Sequence, residues 1–469
     1  MAIPESSPRT PLRPVREALP WKADSWQSHP AAQLPHYDDA AELGAALAKL
    51  AKLPPLVTSW EILALKQQLA DAQDGKRFLL QGGDCAETFA DCNNEVIANR
   101  LKVLLQMSLV LVHGLRMPVL RVGRFAGQYA KPRSADTETI DGVTLPVYRG
   151  DLVNGPAFTA EARRPDPERM LEGHARSAMT MNFVRALIDG GFADLHHPEY
   201  WDLAWVERSP LAAEYRQMVD GISGAMHFME TLAGPIANFQ RADFYTSHEA
   251  LLLPYEQAMT RQVPRQWGWF NLSTHFPWIG MRTAALDGAH VEMCRGIRNP
   301  IAVKVGPAMH AEQLQALIDI LNPDDEPGRL TLVHRMGTGG IGQHLPRLIN
   351  AVKATGRRVL WVCDPMHGNT EKLGTGVKTR RFANIRSELE QAFDIHAAEG
   401  TRLGGVHLEL TGEDVTECLG GARNLSEADL GRAYKSSVDP RLNYEQSLEL
   451  AMLIVRKRGA SAAIATPSN

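Results

Sequence analysis

The sequence is poor in cysteine, has no long hydrophobic run and shows no excess of basic residues. The cysteines are odd in number and scattered, without a CxxC pair, which is typical of a reducing compartment in which a functional thiol acts singly. The net charge of −4 at pH 7 argues against a nucleic-acid-binding surface, which needs clustered basic residues. The five cysteines are Cys85, Cys92, Cys294, Cys363 and Cys418.

The apolar segments are too short for a membrane span. The most apolar one, Leu101–Leu115, falls below the roughly 20 residues that a bilayer requires, so we interpret it as a core helix. The N-terminal segment MAIPESSPRTPLRPVREALPW has no apolar h-region, so no secretory signal is visible. We therefore expect a soluble, cytoplasmic protein that binds neither membrane nor nucleic acid.

Eight short aliphatic runs are present instead, and nearly every one leads into a reactive polar side chain. From the fourth run to the seventh the starts lie about thirty residues apart, which leaves room for a strand, a loop and one helix. This spacing predicts a (β/α)8 (TIM) barrel, whose catalytic groups lie at the C-terminal ends of the strands. The runs are Phe78–Gln81, Val119–Val122, Phe244–Thr246, Phe270–Leu272, Ile301–Val303, Leu330–Val333, Val359–Val362 and Val406–Leu408.

The domain prediction is one barrel, residues 76–458, with additions. Residues 1–75 form an N-terminal extension with helices over Asp39–Lys52 and Ser59–Ala72, which packs on the barrel or on another subunit. A helical insertion, residues 156–240, separates the second and third strands, with helices over Arg163–Ile188 and Leu211–Ala233. Residues 459–469 form a flexible tail. Helical periodicity also marks Glu95–His113, Glu249–Arg261, Ala311–Leu321, Leu345–Ala354, Thr379–Glu399 and Tyr444–Arg456.

Four side chains near strand ends have the chemistry of a metal site. Cys85 follows the first strand, His367 the seventh and Glu409 the eighth, and Asp439 lies in the loop before the last helix. In a closed barrel the first, seventh and eighth strands are neighbours, so a thiolate, an imidazole and two carboxylates can converge. Sulfur favours zinc, whereas the carboxylates admit manganese, iron or cobalt. A purely structural buried Cys85 is the alternative.

Basic residues form a second set at or beyond the strand ends. Lys304 and Arg335 end apolar runs, where burial without a partner is costly. Several cations in one cavity predict a polyanionic substrate with more than one phosphate; a structural ion-pair network is the alternative. The set comprises Arg124, Lys131, Arg133, Arg282, Lys304, Arg335, Lys378 and Arg380.

Gly337–Gly342 matches the dinucleotide-binding pattern G-x-G-x-x-G. It follows the sixth strand of a series rather than the opening strand of a nucleotide domain, so we interpret it as a flexible or close-packed loop. An NAD-dependent dehydrogenase remains the alternative reading of this motif.

Taken together, these residues resemble the class II (plant-type) 3-deoxy-D-arabino-heptulosonate 7-phosphate (DAHP) synthases, the first enzymes of the shikimate pathway. The resemblance covers residues 78–448 in the family's order. It is carried by QGGDCAETF, GRFAGQYAKPRS, YRGD, TSHEALLLPYE, WIGMRT, DGAHVE, VKVGP, GRLTLVHRMG, CDPMHGNT, TGVKTR, HLELTGEDVTECLGG and DPRLN.

The resemblance implies a transferase that joins phosphoenolpyruvate to erythrose 4-phosphate and releases phosphate. It implies manganese, with cobalt, iron or zinc as alternatives, on Cys85, His367, Glu409 and Asp439. It implies that Lys304, Arg335 and His367 are the catalytic residues, and that Lys304 either transfers a proton or only binds an anion. The phosphoenolpyruvate positions are Arg124, Met281, Arg282, Lys304 and Arg335. The erythrose 4-phosphate positions are Lys131, Pro132, Arg133, Ser134, Lys378 and Arg380.

Two departures from the family pattern are visible. The family has WxGERT where this chain has Met281, and it places a basic residue soon after RMG, whereas Thr338–Gly342 contains none. These departures keep open a secondary-metabolism variant, for phenazine-type supply or an amino-DAHP product, and a non-catalytic regulatory homologue. The extension and insertion resemble the family's long forms, which implies a homo-oligomer (dimer or tetramer), aromatic amino-acid effectors and chorismate mutase as a partner.

Overall fold

The chain folds into a closed barrel of eight parallel strands. The computed structural model describes residues 21–192, 212–217, 219–221 and 243–464. The barrel strands are β1 (Phe78–Gly83), β2 (Val119–Arg124), β3 (Tyr245–Thr246), β4 (Trp278–Ile279), β5 (Ile301–Val305), β6 (Leu330–His334), β7 (Leu360–Cys363) and β8 (Leu403–Glu409).

The order of the strands confirms the predicted (β/α)8 barrel. The strands pair in the order β3-β2-β1-β8-β7-β6-β5-β4, with every ladder parallel. A parallel bridge between Glu249 and Trp278 joins the two ends of this series. The Trp278 amide donates to the His248 carbonyl at 3.1 Å, and the Ala250 amide donates to the Trp278 carbonyl at 3.0 Å. The first and last strands, β1 and β8, are neighbours, so residues far apart in the chain meet at one rim.

The position predicted for the fourth strand, Phe270–Leu272, was wrong. Trp269–Asn271 pairs antiparallel with Thr260–Gln262 in a hairpin beside the barrel, and β4 begins seven residues after Asn271. Pro277 concealed β4, because a proline within an apolar run argues against a strand. Here its carbonyl still accepts from Ala302 at 3.2 Å, and the flanking Phe276 and Trp278 fill the barrel interior.

The helices follow the predicted periodicity with shifted ends. Ala311–Leu321 has the predicted bounds, whereas Glu249–Arg261 shrinks to Leu253–Met259 because the hairpin strand starts at Thr260. The helices are α1 (Ala40–Leu50), α2 (Ser59–Gln73), α3 (Asn94–Leu115), α4 (Ala160–Arg163), α5 (Glu168–Asp189), α6 (Leu253–Met259), α7 (Ala289–Gly296), α8 (Ala311–Leu321), α9 (Ile341–Thr355), α10 (Phe382–Ala398) and α11 (Tyr444–Ile464).

Helix α2 closes the N-terminal mouth of the barrel. Thr58 and Glu61 form a capping box that starts the helix. Leu65, Leu69 and Ala72 then pack with the interior side chains of the strand beginnings in one buried cluster. This helix of the predicted extension packs on the barrel and leaves the opposite mouth open.

Helix α3 is long and apolar enough to cross a membrane, and it extends beyond the predicted Leu101–Leu115 stretch at its N-terminal end. It packs against α11 in the ring of helices, and most of its apolar side chains are buried in the protein core. Its apolar composition is therefore explained by core packing.

The predicted insertion and tail are described in part. The helix expected over Arg163–Ile188 is divided into α4 and α5 by a segment with two prolines, since proline interrupts the hydrogen-bond ladder of a helix. Of Leu211–Ala233, residues 212–217 and 219–221 are helical, and the remainder lies outside the described residues. Residues 1–20 and 465–469 also lie outside them, and α11 runs into the predicted tail as far as Ile464.

Two further hairpins were not predicted. Thr137–Ile140 pairs with Val143–Pro146, and Thr370–Lys372 pairs with Lys378–Arg380. Both project from loops at the C-terminal ends of barrel strands, where they form walls above the open mouth.

Candidate active site

A cavity of about 460 Å³ opens at the C-terminal mouth of the barrel. Its polar lining comes from the ends of the eight barrel strands together with the loops that follow. The predicted site residues that line it are Cys85, Arg124, Lys131, Pro132, Arg133, Ser134, Met281, Arg282, Lys304, Arg335, His367, Lys378 and Asp439. Glu409 and Arg380 are fully buried directly behind the wall.

The four proposed metal ligands converge at the floor of this cavity. One ligand atom from each of Cys85, Glu409 and Asp439 lies within 4.8 Å of the other two. The Cys85 Sγ is 3.6 Å from Asp439 Oδ2, and His367 Nε2 is 2.8 Å from Glu409 Oε1. A thiol, an imidazole and two carboxylates thus share one small volume, a mixed donor set that suits a divalent transition metal.

The Lys131 ammonium group lies among these donor atoms. It contacts the Cys85 Sγ and is 2.9 Å from Asp439 Oδ2 and 3.6 Å from Glu409 Oε1. Burial alone would lower the pKa of Lys131, but the three acidic groups outweigh burial and raise it. A cation is therefore already stabilised at this position, which is the electrostatic requirement of a metal site.

Two arginines fix Glu409 from the other side. Arg124 Nη2 donates to Glu409 Oε1 at 3.0 Å, and Arg380 Nη2 is 2.7 Å from Oε2. Burial would raise the pKa of Glu409, but His367 and these cations hold it well below its usual range. Arg124 also donates to His407 Nε2 at 2.6 Å. Arg380, predicted to bind erythrose 4-phosphate, thus holds the carboxylate in place instead of lining the cavity.

Asp364 connects the metal-ligand histidine to the buried lysine. Its Oδ2 is 2.7 Å from His367 Nδ1 and 2.5 Å from Lys304 Nζ. The first contact turns Nε2 of the imidazole toward the donor set, as carboxylates commonly do for metal-bound histidines. Burial lowers the pKa of Lys304 to about 8, with Asp364 opposing the shift and Arg124 and Arg335 adding to it.

The remaining cations surround the cavity above this floor. Arg282 donates to Ser134 Oγ at 3.0 Å, and Arg335 donates to the His367 carbonyl at 2.9 Å. Met281 is 40% exposed, and its Sδ lies against Gly306. The basic residues that were predicted from separate strand ends are therefore close enough to bind one or two anions together.

A buried ion-pair network holds the two ends of the site together. Asp84 pairs with Arg100 of α3 and, at 2.6 Å, with Arg441 Nη1. Arg441 also binds Glu417 at 2.8 Å. Because Asp84 precedes Cys85 and Arg441 lies two residues beyond Asp439, this network fixes the spacing of two proposed ligands.

The glycine-rich loop after β6 is close-packed at its start, Met336–Thr338. Gly337 has φ +79°, and a side chain on Gly368 would meet the Gly337 amide at 2.3 Å. The amides of Met336 and Gly337 donate to Glu388 at 2.8 and 3.0 Å, and that of Thr338 donates to Asn369. These three backbone amides donate to acceptors within the protein, so the loop does not form the phosphate-binding turn of a dinucleotide site.

Several lining residues were not assigned from the sequence, among them Gln128, Glu249, Trp278 and His407. Glu249 is half-buried, and its partial removal from solvent raises its pKa despite the surrounding cations. His407 carried a usable signal, because it lies two residues before Glu409 on β8 and therefore faces the same side of the strand. No sequence signal indicated Trp278, since the fourth strand was predicted at Phe270–Leu272.

Fold and cavity together define a TIM-barrel protein with a donor-rich, strongly cationic site at the C-terminal mouth. Residues 21–455 match the model of the Class-II DAHP synthetase family. The chain is 48% identical over 435 residues to "Phospho-2-dehydro-3-deoxyheptonate aldolase" of Streptomyces coelicolor, covering 93% of this chain and 97% of that protein. A Neurospora crassa protein of the same name is 46% identical over 451 residues, covering 92% and 93%.

The chain belongs to the class II DAHP synthetase family. The family implies a divalent metal and the substrates phosphoenolpyruvate and erythrose 4-phosphate. A solved phospho-2-dehydro-3-deoxyheptonate aldolase from Thermotoga maritima covers 84% of this chain and 72% of its own, with 13% identity and a TM-score of 0.34. That structural similarity is too low to carry an argument, and the fold rests on the strand order above.

Proposed function

We propose that this protein is a DAHP synthase that condenses phosphoenolpyruvate with erythrose 4-phosphate and releases phosphate, the first step of the shikimate pathway. The observation that carries the proposal is one cavity in which Cys85, His367 and Asp439 lie beside a ring of lysine and arginine side chains. Both substrates carry phosphate groups, and the reaction needs two anions held in register.

Arg124, Arg282, Lys304 and Arg335 hold the phosphate and carboxylate groups of phosphoenolpyruvate. Forked guanidinium groups suit such planar and tetrahedral anions. Met281 contributes its backbone at this subsite, since its side chain is directed toward Gly306. The aldose phosphate is bound by the segment Lys131–Ser134 with Lys378 across the cavity, and Arg380 supports this subsite indirectly through Glu409.

Cys85, His367, Glu409 and Asp439 hold the divalent metal, which we assign as manganese, with cobalt, iron or zinc able to replace it. The fit rests on the mixed donor set and on the Lys131 ammonium, which is held by three of the same donors. The bound metal supplies Lewis acidity at the aldehyde oxygen of erythrose 4-phosphate.

Lys304 handles the proton of the water that adds at C2 of the phosphoenolpyruvate unit. Its pKa of about 8 allows it to gain and lose a proton near neutral pH. Asp364 accepts a hydrogen bond from Lys304 Nζ and keeps it oriented toward the cavity. Arg335 stabilises the charge of the departing phosphate.

We further propose a cytoplasmic homo-oligomer, a dimer or tetramer, that is regulated by aromatic amino acids and associates with chorismate mutase. The extension, residues 1–75, and the insertion, residues 156–240, supply those contacts, while residues 76–458 form the catalytic barrel. These assignments are carried by the resemblance to long-form members of the family.

The direct test is turnover. Purified protein with Mn²⁺, phosphoenolpyruvate and erythrose 4-phosphate should consume phosphoenolpyruvate and release phosphate, and chelation should abolish both. Arg282→Gln should raise the KM for phosphoenolpyruvate at least about tenfold, because a charged hydrogen bond contributes roughly 1.5–3 kcal/mol. Arg295→Gln, which removes an arginine paired with Glu292 outside the cavity, is the control.

Absence of turnover in metal-replete protein would overturn the proposal. Turnover only when an amino analogue replaces erythrose 4-phosphate would instead identify the secondary-metabolism variant. Inactive protein that still binds aromatic metabolites would identify a regulatory homologue.

A further inference from the structure

A second cluster of metal-ligating side chains lies outside the barrel, between β6, β7 and α10. His334 ends β6, Cys363 ends the paired strand β7, and Glu388 projects from α10. One ligand atom from each lies within 4.8 Å of the other two, and all three residues are fully buried. None of the three lines the cavity of the active site.

The histidine of this cluster is chemically unsatisfied. Among the described residues, neither ring nitrogen of His334 has a hydrogen-bond partner, although the residue is 0% exposed. Buried polar groups are nearly always paired, so an orphaned imidazole indicates a missing partner. Burial, together with the nearby His396, holds the pKa of His334 well below its usual value, which keeps the ring neutral and a nitrogen lone pair free.

A second orphaned nitrogen lies next to the first. The His396 ring is 5.7 Å from that of His334, and its buried Nε2 has no hydrogen-bond partner in the part of the chain that the structure describes, while Nδ1 bonds to Thr401 Oγ1 at 2.8 Å. The Thr401 contact fixes the orientation of the His396 ring. A second neutral imidazole therefore lies beside the cluster of His334, Cys363 and Glu388, whose ligand atoms are within 4.8 Å of one another.

Glu388 keeps coordination capacity despite its existing contacts. Its Oε1 accepts two backbone amides, and its Oε2 accepts from Asn369 Nδ2 at 2.7 Å. Carboxylate oxygens offer about four lone-pair positions in all, so one remains on Oε2.

We propose that His334, Cys363 and Glu388 bind a structural zinc ion, and that His396 is the nearest further imidazole. Sulfur, nitrogen and oxygen donors in a closed, buried site are the set that structural zinc takes. Ligand atoms around one zinc are roughly 3.3–3.8 Å apart, since each is about 2.0–2.3 Å from the ion. Side-chain rotation brings ligand atoms that lie within 4.8 Å of one another to this spacing. The Cys363 thiol releases its proton to solvent as the zinc–sulfur bond forms.

The zinc site would stabilise the loops that carry active-site residues. Glu388 binds the amides of Met336 and Gly337, directly after Arg335, and Asn369 lies two residues after His367. The site would thereby order the glycine-rich loop, which lacks the basic residue found in the family. The inference does not depend on the reaction that the barrel catalyses.

Metal analysis in a background without the catalytic site tests the proposal. Cys85→Ser protein, loaded with zinc and desalted, should retain one zinc per chain by mass spectrometry. The double variant Cys85→Ser/Cys363→Ser should retain none. Cys85→Ser/Cys294→Ser removes an equally buried thiol outside both clusters and should retain one.

A second measurement avoids any folding defect of the Cys363 variant. Cobalt bound to the Cys85→Ser protein should show a thiolate-to-cobalt charge-transfer band. Zinc-free Cys85→Ser protein, zinc retained after loss of Cys363, or bound cobalt without that band would each overturn the proposal.

Discussion

Lys304 lies in an environment that differs strongly from that of an exposed lysine. Burial lowers its pKa to about 8, so the ammonium form predominates below that pH and is lost above it. Because anion binding needs the charged form, kcat/KM for phosphoenolpyruvate should fall as the pH rises through about 8. Lys304→Arg keeps the charge but cannot exchange a proton near neutral pH, so kcat should drop while the fall of kcat/KM moves to higher pH. An identical profile for both proteins would assign the titration to another group.

Asp364 acts through the residues it orients. Asp364→Asn should weaken metal binding about 10- to 100-fold, the usual cost of losing a carboxylate behind a ligating histidine. Metal titration of the apoprotein measures this change directly. The control is Asp319→Asn, which alters a half-exposed carboxylate that pairs with Arg357 on the outside of the barrel. Equal affinities for the two variants would remove Asp364 from the site.

For single residues, the sequence predicted which residues lie near the site better than it predicted what each side chain contacts. Cys85, His367 and Asp439 were predicted to be metal ligands, and they line one cavity. The contacts of Arg380 could not be predicted, because its position in the chain does not show that its guanidinium group pairs with the buried Glu409. Glu249 was missed because a single glutamate after a strand carries no local signal.

Among the elements, α2 makes the clearest contribution to stability. Leu69 is fully buried against strand beginnings, so Leu69→Ala should cost about 2–5 kcal/mol of unfolding free energy. Trp60 on the same helix is 69% exposed, and Trp60→Ala should change stability by less than about 0.5 kcal/mol. Urea unfolding of both variants compares them. Similar losses would show that α2 does not close the barrel in solution.

The elements that sequence patterns missed have two physical causes. Proline at 277 hid β4, whereas the strand pairs within Thr137–Pro146 and Thr370–Arg380 are short and mostly not buried, with Thr379 and Arg380 as exceptions. Periodicity reports burial on one face, so strands without a buried face leave no pattern. The longer strands, such as β1 and β8, were found because the barrel encloses both their faces.

For the molecule as a whole, metal binding should couple to stability. A ligand that binds only the folded state at a concentration 100-fold above Kd adds about 2.7 kcal/mol. Mn²⁺ should therefore raise the Tm by a few degrees, and chelation should reverse the rise. Cys85→Ser should lose the Mn²⁺ response, whereas Cys92→Ser, at a half-buried thiol outside the cavity, should keep it. A response that persists in Cys85→Ser would place the stabilising ion elsewhere.

The direct pairing of β1 with β8 also has a consequence for synthesis on the ribosome. Gly83 aligns with Glu409, so more than three hundred residues must be translated after β1 before its partner strand β8 is available to pair with it. At roughly 5–20 residues per second, that interval lasts on the order of tens of seconds. During this time the nascent chain carries an unpaired, apolar strand edge, which is a substrate for chaperones and a risk for aggregation. Slow translation or chaperone depletion should therefore lower the yield of this protein before any effect on its finished activity is seen.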